Sequence, residues 1–239
     1  MKSLQNQFSI RERIKTLKPV WFLLAGILST TLAHLTFNID LIGWVSLVPF
    51  LIYLRLTHGW RSRLLFSLAL LVSWSLIVFK IITDPIPPAM IIMFSVPFTL
   101  IQLPGFLLWS WTKNHKLNAV LFAAVMICLE WLQYTYTPFA SWGAMAYTQS
   151  ENLQMMQFVS LFGLAGLGFL VYWINAVIAN YFVNDQADAK AFRIPLALIL
   201  FALVYGSVRV DIAKNRGEET ITVAAVGTDS EIGGLPLPT

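Results

Sequence analysis

Seven nearly unbroken apolar runs divide this chain, at residues 19–37, 41–56, 64–83, 88–111, 117–134, 158–182 and 194–210. A helix needs about 20 such residues to cross the hydrocarbon layer of a bilayer, and every run reaches or approaches that length. Of the 239 residues, 57% are hydrophobic and 12% charged, whereas a soluble domain is about a quarter charged. There are too few polar side chains to cover a water-facing surface, so lipid is the solvent this composition fits. The expected fold class is an all-α integral membrane protein, a polytopic bundle of about seven transmembrane helices.

The second run is short and would need Arg55 to snorkel to the interface; it also contains Pro49. Pro97 and Pro104 lie seven positions apart in the fourth run, on nearly one helix face, which predicts two bends in the same direction. The net charge of +4 does not mark a nucleic-acid partner, because the cations sit between apolar runs and act first as topology signals. Most of the lysines and arginines fall on one side if the N-terminus is cytoplasmic, which places the C-terminus outside after seven crossings. A basic stretch before the first run raises a cleaved signal peptide. That run is too long for a signal core and offers no clean cleavage pattern, so a retained anchor is expected. Leu4, Phe8, Arg11, Ile14 and Leu17 follow helical spacing. Residues 4–18 thus read either as a basic amphipathic helix on the inner leaflet or as a disordered basic tail. The chain divides into a basic cytoplasmic segment at 1–18, a helix bundle at 19–210, and a different kind of sequence at 211–239.

In that last part, DIAKNRGEET (211–220) is a polar linker, and ITVAAVG (221–227) reads as a short buried strand, β-branched and bounded by glycine. One strand cannot pair its backbone alone. The expectation is the opening of a domain otherwise absent from the sequence.

Residues 135–157, between the fifth and sixth runs, are rich in aromatic and small polar side chains. Tyr134, Tyr136, Phe139, Trp142 and Tyr147 fit an ordinary interfacial belt, or a lipid-contacting rim beside an active site. Glu130 is the only carboxylate well inside an apolar run, and ionisable groups at that depth are usually paired or functional. Structural pairing, with Lys80 or a Trp indole, and substrate handling both fit it. Lys80 and Asp84, one turn apart, are expected to form a local ion pair. Gly163, Gly166 and Gly168 follow no strand and so form no dinucleotide fingerprint; small residues there let helices approach closely. Asn175 and Asn180 are expected to hydrogen-bond to neighbouring helices. The single cysteine, Cys128, reads as buried, apolar and inert, with no histidine near it and no disulfide partner. No metal-ligand spacing, phosphate loop or complete catalytic grouping is visible.

The order of motifs from residue 19 to 227 resembles bacterial apolipoprotein N-acyltransferase. Members of that family carry an EWLR-like helix end, a GFPW-like turn and a GYSQ-like stretch before a Gly-rich helix. Here these read EWLQ (130–133), TPFASWG (137–143) and AYTQ (146–149), while IGWVSLVPFLIYL (42–54) resembles the family's WLALVPLL-type segment. ITVAAVG stands where the family's α/β nitrilase-like domain begins. Gln133 departs from the common Arg, Ala140-Ser141 lengthen the turn before Trp142, and AAVGTD replaces the usual strand end.

The resemblance implies a two-stage acyl transfer outside the membrane. A Cys thiolate takes a fatty acyl chain from a phospholipid donor and passes it to the α-amino group of a diacylglyceryl-cysteine on a lipoprotein acceptor. A Glu base and an oxyanion-stabilising Lys complete the site. All three belong to later parts of the nitrilase-like domain, and none maps onto this chain: Glu231 comes too early and Cys128 lies in the wrong domain. What carries over is a membrane half that guides acyl chains, with Glu130, Trp142, Tyr147 and Gln149 as lipid- and substrate-rim candidates. By this reading the chain alone is inactive. It sits as a multi-pass protein in the bacterial cytoplasmic membrane among membrane lipids, and uses no nucleic acid, cofactor or metal. Two alternatives are a small transporter-like bundle and a non-catalytic membrane remnant. The first calls for facing polar residues at mid-membrane and an internal repeat, neither of which is visible.

Overall fold

A computed structural model describes residues 12–34, 39–81, 88–112, 117–184 and 188–215, and every regular element in them is helical. The strand expected at 221–227, the Lys80–Asp84 pair and most of the 4–18 segment lie outside those described residues. After a short helix α1 at 12–16 come α2 (Pro19–Ala33), α3 (Asp40–Gly43), α4 (Val48–Leu56), α5 (Trp60–Ile81), α6 (Pro88–Trp111) and α7 (Asn118–Tyr136). A 3-10 turn (Met145–Gln149), α8 (Leu153–Met156), α9 (Val159–Val183), a second 3-10 turn (Ala189–Phe192) and α10 (Arg193–Asn215) follow.

Five stretches are long and apolar enough to cross a membrane: Trp60–Phe79, Pro88–Trp111, Asn118–Tyr136, Val159–Val183 and Ala189–Asn215. Leu28, Leu65, Leu100 and Leu200 stand exposed along the helices, as lipid-facing side chains do. The chain is an all-α polytopic membrane bundle.

The second apolar run does not cross as one helix. Residues 44–47 separate α3 from α4, and Pro49, which lacks an N–H, opens α4 at the position where that loss costs least. Free backbone groups inside a membrane need protein partners, and three side chains supply them. Asn175 on α9 accepts from the Leu47 N–H (2.9 Å) and donates to the Gly43 carbonyl (2.9 Å). Ser29 (2.6 Å) and Thr30 (3.4 Å), both on α2, donate to the Ser46 carbonyl.

α4 itself is buried along almost its whole length and packs against α2, α5, α6 and α9. A file of rings runs through the core beside it, from Phe50 to Phe66 (5.4 Å), Phe106 (5.0 Å) and Phe122 (5.6 Å). Helix α6 continues across both Pro97 and Pro104. Helix α9 is broken at Gly163, whose φ of 67° and ψ of −179° only glycine adopts readily. Of the three glycines expected to pack, Gly168 does so: a Cβ there would stand 2.9 Å from Ile127 of α7. Asn180 pairs with Asn118 of α7 (2.6 Å), so both asparagines bond neighbouring helices as expected.

Two expectations are corrected. Cys128 is exposed on the outer side of α7 rather than buried in the bundle. Arg55 does not snorkel: it is 8% exposed, its guanidinium lies 3.9 Å above the Trp109 ring, and its three nitrogens find no hydrogen-bond acceptor among the described residues. The cause is its place on α4, whose flanks are all occupied by other helices. A cation–π contact of this kind is worth about 2 kcal/mol, less than the cost of burying a charge without a counter-ion. Arg55→Met keeps the stem and removes the charge. It should stabilise the detergent-solubilised protein by about 1–3 kcal/mol, read as a raised unfolding temperature; a lowered one would show that the cation is paid for by contacts not seen here.

Candidate functional site

The end of α7, residues 137–144, the first 3-10 turn and the start of α9 meet at one end of the bundle, and Glu130 ties them together. Its carboxylate is 3% exposed. Oε1 accepts from the Met145 N–H (2.9 Å) and the Tyr172 hydroxyl (2.7 Å), and Oε2 accepts from the Tyr134 hydroxyl (2.7 Å). Among the described residues its partners are two phenols and a main-chain amide, not an indole; the Lys80 side chain lies outside the described part of the structure. One side chain thus joins α7, α9 and the first residue of the 3-10 turn. Gly168 helps, since its missing side chain leaves room within 3.5 Å of Glu130 Oε2.

Gln133, one turn further along α7, is also buried and spends both amide hydrogens on the following loop. They reach the carbonyls of Ala140 (3.0 Å) and Trp142 (2.8 Å). Between those contacts the chain makes a tight reversal in which Ala140 (φ 47°) and Gly143 (φ 71°) both take left-handed backbone. Gly143 also lies under Trp74, where a Cβ would stand 2.6 Å from the indole. The loop rests on a stack of rings. Trp74 and Phe98 are parallel at 4.6 Å, Phe139 packs on Phe98 at 5.1 Å, and Trp142 lies 5.7 Å from Phe94.

The four site residues read from sequence separate into two layers. Trp142 (43% exposed) and Tyr147 (41% exposed) face outward, and the Tyr147 hydroxyl meets Ser141 Oγ at 2.8 Å. Glu130 and Gln149 lie behind them. Gln149 is completely buried and therefore not part of the rim surface; its Nε2 donates to the Asp40 carbonyl of α3 at 2.8 Å. Of the five aromatic residues placed at a membrane interface, Tyr136 is exposed like Trp142 and Tyr147, while Tyr134 and Phe139 turn inward. Sequence reasoning missed Tyr172 and the loop-gripping role of Gln133. Tyr134 stands four residues after Glu130, one helical turn away, and that spacing was a usable signal; Tyr172, 42 residues on, left none. Among the described residues no three His, Cys, Asp or Glu side chains group as metal ligands. Among those residues Glu130 bonds two phenols and an amide, and none of them is an activated nucleophile.

The family model for the N-terminal domain of apolipoprotein N-acyltransferase matches residues 25–177, a stretch that contains the Glu130 knot, the Gln133 loop and the 3-10 turn. The chain belongs to the apolipoprotein N-acyltransferase family. Apolipoprotein N-acyltransferase of Bradyrhizobium diazoefficiens is 30% identical over 131 residues, and that of Rickettsia prowazekii is 28% identical over 126. Each alignment covers 48% of this chain and about a quarter of the relative, 24% and 25% respectively. No solved structure matches.

Proposed function

We propose that this chain supplies the membrane part of an N-acyl transfer, in which a fatty acyl chain moves from a phospholipid to the N-terminal diacylglyceryl-cysteine of lipoproteins. The observation that carries the reading is the coincidence of the family match with the one end of the bundle where a buried carboxylate, a gripped loop and exposed aromatic residues converge. In this reading that end faces the extracytoplasmic side of a bacterial cytoplasmic membrane, which the distribution of lysine and arginine supports. Trp142 and Tyr147 form the rim that lipid touches. Glu130 and Gln133 hold the rim in place and do no chemistry themselves. The nucleophile, base and oxyanion donor belong to a nitrilase-like domain, and the bundle presents lipid to it. In this reading Cys128, exposed on α7, is not the nucleophile.

The reading is tested by grafting. Residues 25–177 replace the matching segment of the Bradyrhizobium relative, and the chimera is expressed in cells depleted of their own enzyme. The expected result is lipoproteins with blocked N-termini, and a reduction of tenfold or more when Trp142→Ala is added to the chimera. The 239-residue chain expressed alone should leave the N-termini free. A chimera that reaches the membrane and folds, yet acylates nothing, would overturn the proposal, and so would acylation by the chain alone.

A further inference from the structure

The end of the bundle away from Glu130 holds a buried cation that no acceptor among the described residues neutralises. Arg55, in the last turn of α4, lies with its guanidinium 3.9 Å above the Trp109 ring, and Nε, Nη1 and Nη2 have no hydrogen-bond partner there. Trp109 is fixed for that contact, because its Nε1 donates to the Leu51 carbonyl of α4 at 3.0 Å. Its ring meets Phe122 at 5.6 Å. Phe122 precedes Glu130 on α7 by about two turns, or about 12 Å of rise, so this cluster is separate from the Glu130 knot. More cations stand on the neighbouring helix. The Tyr53 hydroxyl donates to the Ser62 carbonyl (3.1 Å), which ties the end of α4 to the first turn of α5. That turn carries Arg61, exposed over Trp60, and Arg63, half-buried over Trp111. Trp60 and Trp111 are both exposed, as indoles at headgroup depth are. Among the described residues none of the three arginines has a carboxylate partner; the ion pair found there is Lys190–Asp188.

A guanidinium is planar, keeps its charge, and offers paired N–H groups that match two oxygens of a phosphate. An indole face holds such a group without neutralising it, and a buried charge with no counter-ion stays costly. An anion that pairs with Arg55 removes that cost, so the fold gains stability by binding one. We propose that Arg55, with Arg61 and Arg63 at the rim, binds a phosphate group at the membrane surface. Arg55 stands two residues before the α4 cap at Thr57, and the chain is exposed from His58 to Arg61. Its long stem carries the guanidinium off the indole to meet the phosphate there. Arg61 and Arg63 repel a ligand that brings an ammonium of its own, so the class selected is a phosphate with net negative charge. Two sources carry it, an anionic phospholipid headgroup and a free phosphate from solution. The site is independent of the acyl-transfer reading, since it lies away from the rim and transfers nothing.

The full 239-residue chain is stripped of lipid in a neutral detergent. Its thermal unfolding is then followed with phosphatidylglycerol, phosphatidylethanolamine, phosphatidylcholine or inorganic phosphate, at equal concentration and ionic strength. Phosphatidylglycerol should raise the unfolding temperature of the wild type by about 5 °C or more. The two zwitterionic lipids should raise it by no more than about a third of that. Arg55→Met should lose most of the phosphatidylglycerol shift while starting no lower than the wild type. Should Arg55→Met fail to fold, Arg61→Gln combined with Arg63→Gln carries the test, with an expected shift about twofold smaller. A rise with inorganic phosphate that equals the rise with phosphatidylglycerol, and is lost in Arg55→Met, assigns the site to soluble phosphate. A rise with phosphatidylglycerol alone assigns it to the headgroup. Three results overturn the inference: no rise in the wild type with either phosphate source, equal rises with all three lipids, or an undiminished rise in whichever variant carries the test. Stability is read here without acyl transfer, so an inactive chimera leaves this result standing, and an active one does not rescue it.

Discussion

Glu130→Ala should destabilise the purified protein by about 3 kcal/mol, whereas Glu130→Gln should cost about 1 kcal/mol. The difference follows from what each change leaves behind. Alanine strands the Met145 N–H and two tyrosine hydroxyls, all of which now end on the carboxylate. A buried donor left without an acceptor costs about 1–3 kcal/mol. Tyr134 is only part-buried and can turn outward, which keeps the total well below three full penalties. Glutamine keeps a carbonyl for Met145 and Tyr172. Its NH2 then faces the Tyr134 hydroxyl, which can rotate and accept instead of donate. Thermal unfolding of the two variants in the same detergent separates the cases. If alanine and glutamine cost the same, the charge and not the hydrogen-bond geometry is what matters, and the knot described here is misread.

How much of this was legible beforehand depends on whether the partner lies nearby in sequence. The crossing helices were, because apolar length is a local property and each run carries its own. The rim was partly so: Trp142 and Tyr147 were picked out and stand at the surface, while Gln149, picked with them, turned out to be buried beneath α3. What decides between rim and interior at that position is the contact with Asp40, 109 residues away, and no local pattern reports it. Arg55 failed for a related reason. A cation at the end of a short apolar run is free to snorkel only if its helix borders lipid, and α4 is enclosed by four others. The departure of Gln133 from the family's common Arg and the longer turn before Trp142 were both visible as isolated oddities. The structure joins them, since the Gln133 amide holds both ends of that longer turn.

The break between α3 and α4 is the feature sequence reasoning could least supply, and it carries the second large effect. Asn175→Leu should cost about 2–3 kcal/mol. Leucine has the branching and heavy-atom count of asparagine and so opens no cavity, but it leaves the Leu47 N–H facing an apolar side chain within the bundle. The Leu47 N–H cannot borrow a helical partner, because residues 44–47 already stand outside regular helix, whereas the Gly43 carbonyl keeps the Ser46 hydroxyl (3.2 Å). Asn180→Leu is the control on the same helix. It removes a side-chain pair with Asn118, and such pairs between membrane helices are worth about 0.6 kcal/mol, rarely more than 1.7. The two substitutions are chemically identical and lie five residues apart, so a ratio near threefold or more between their costs isolates the backbone debt of the broken helix. Amide exchange at Leu47 gives an independent reading: it should quicken in Asn175→Leu and not in Asn180→Leu. The consequence reaches the candidate site, because Asn175 anchors Gly43 and Gly43 is the surface on which Thr148 and Gln149 rest.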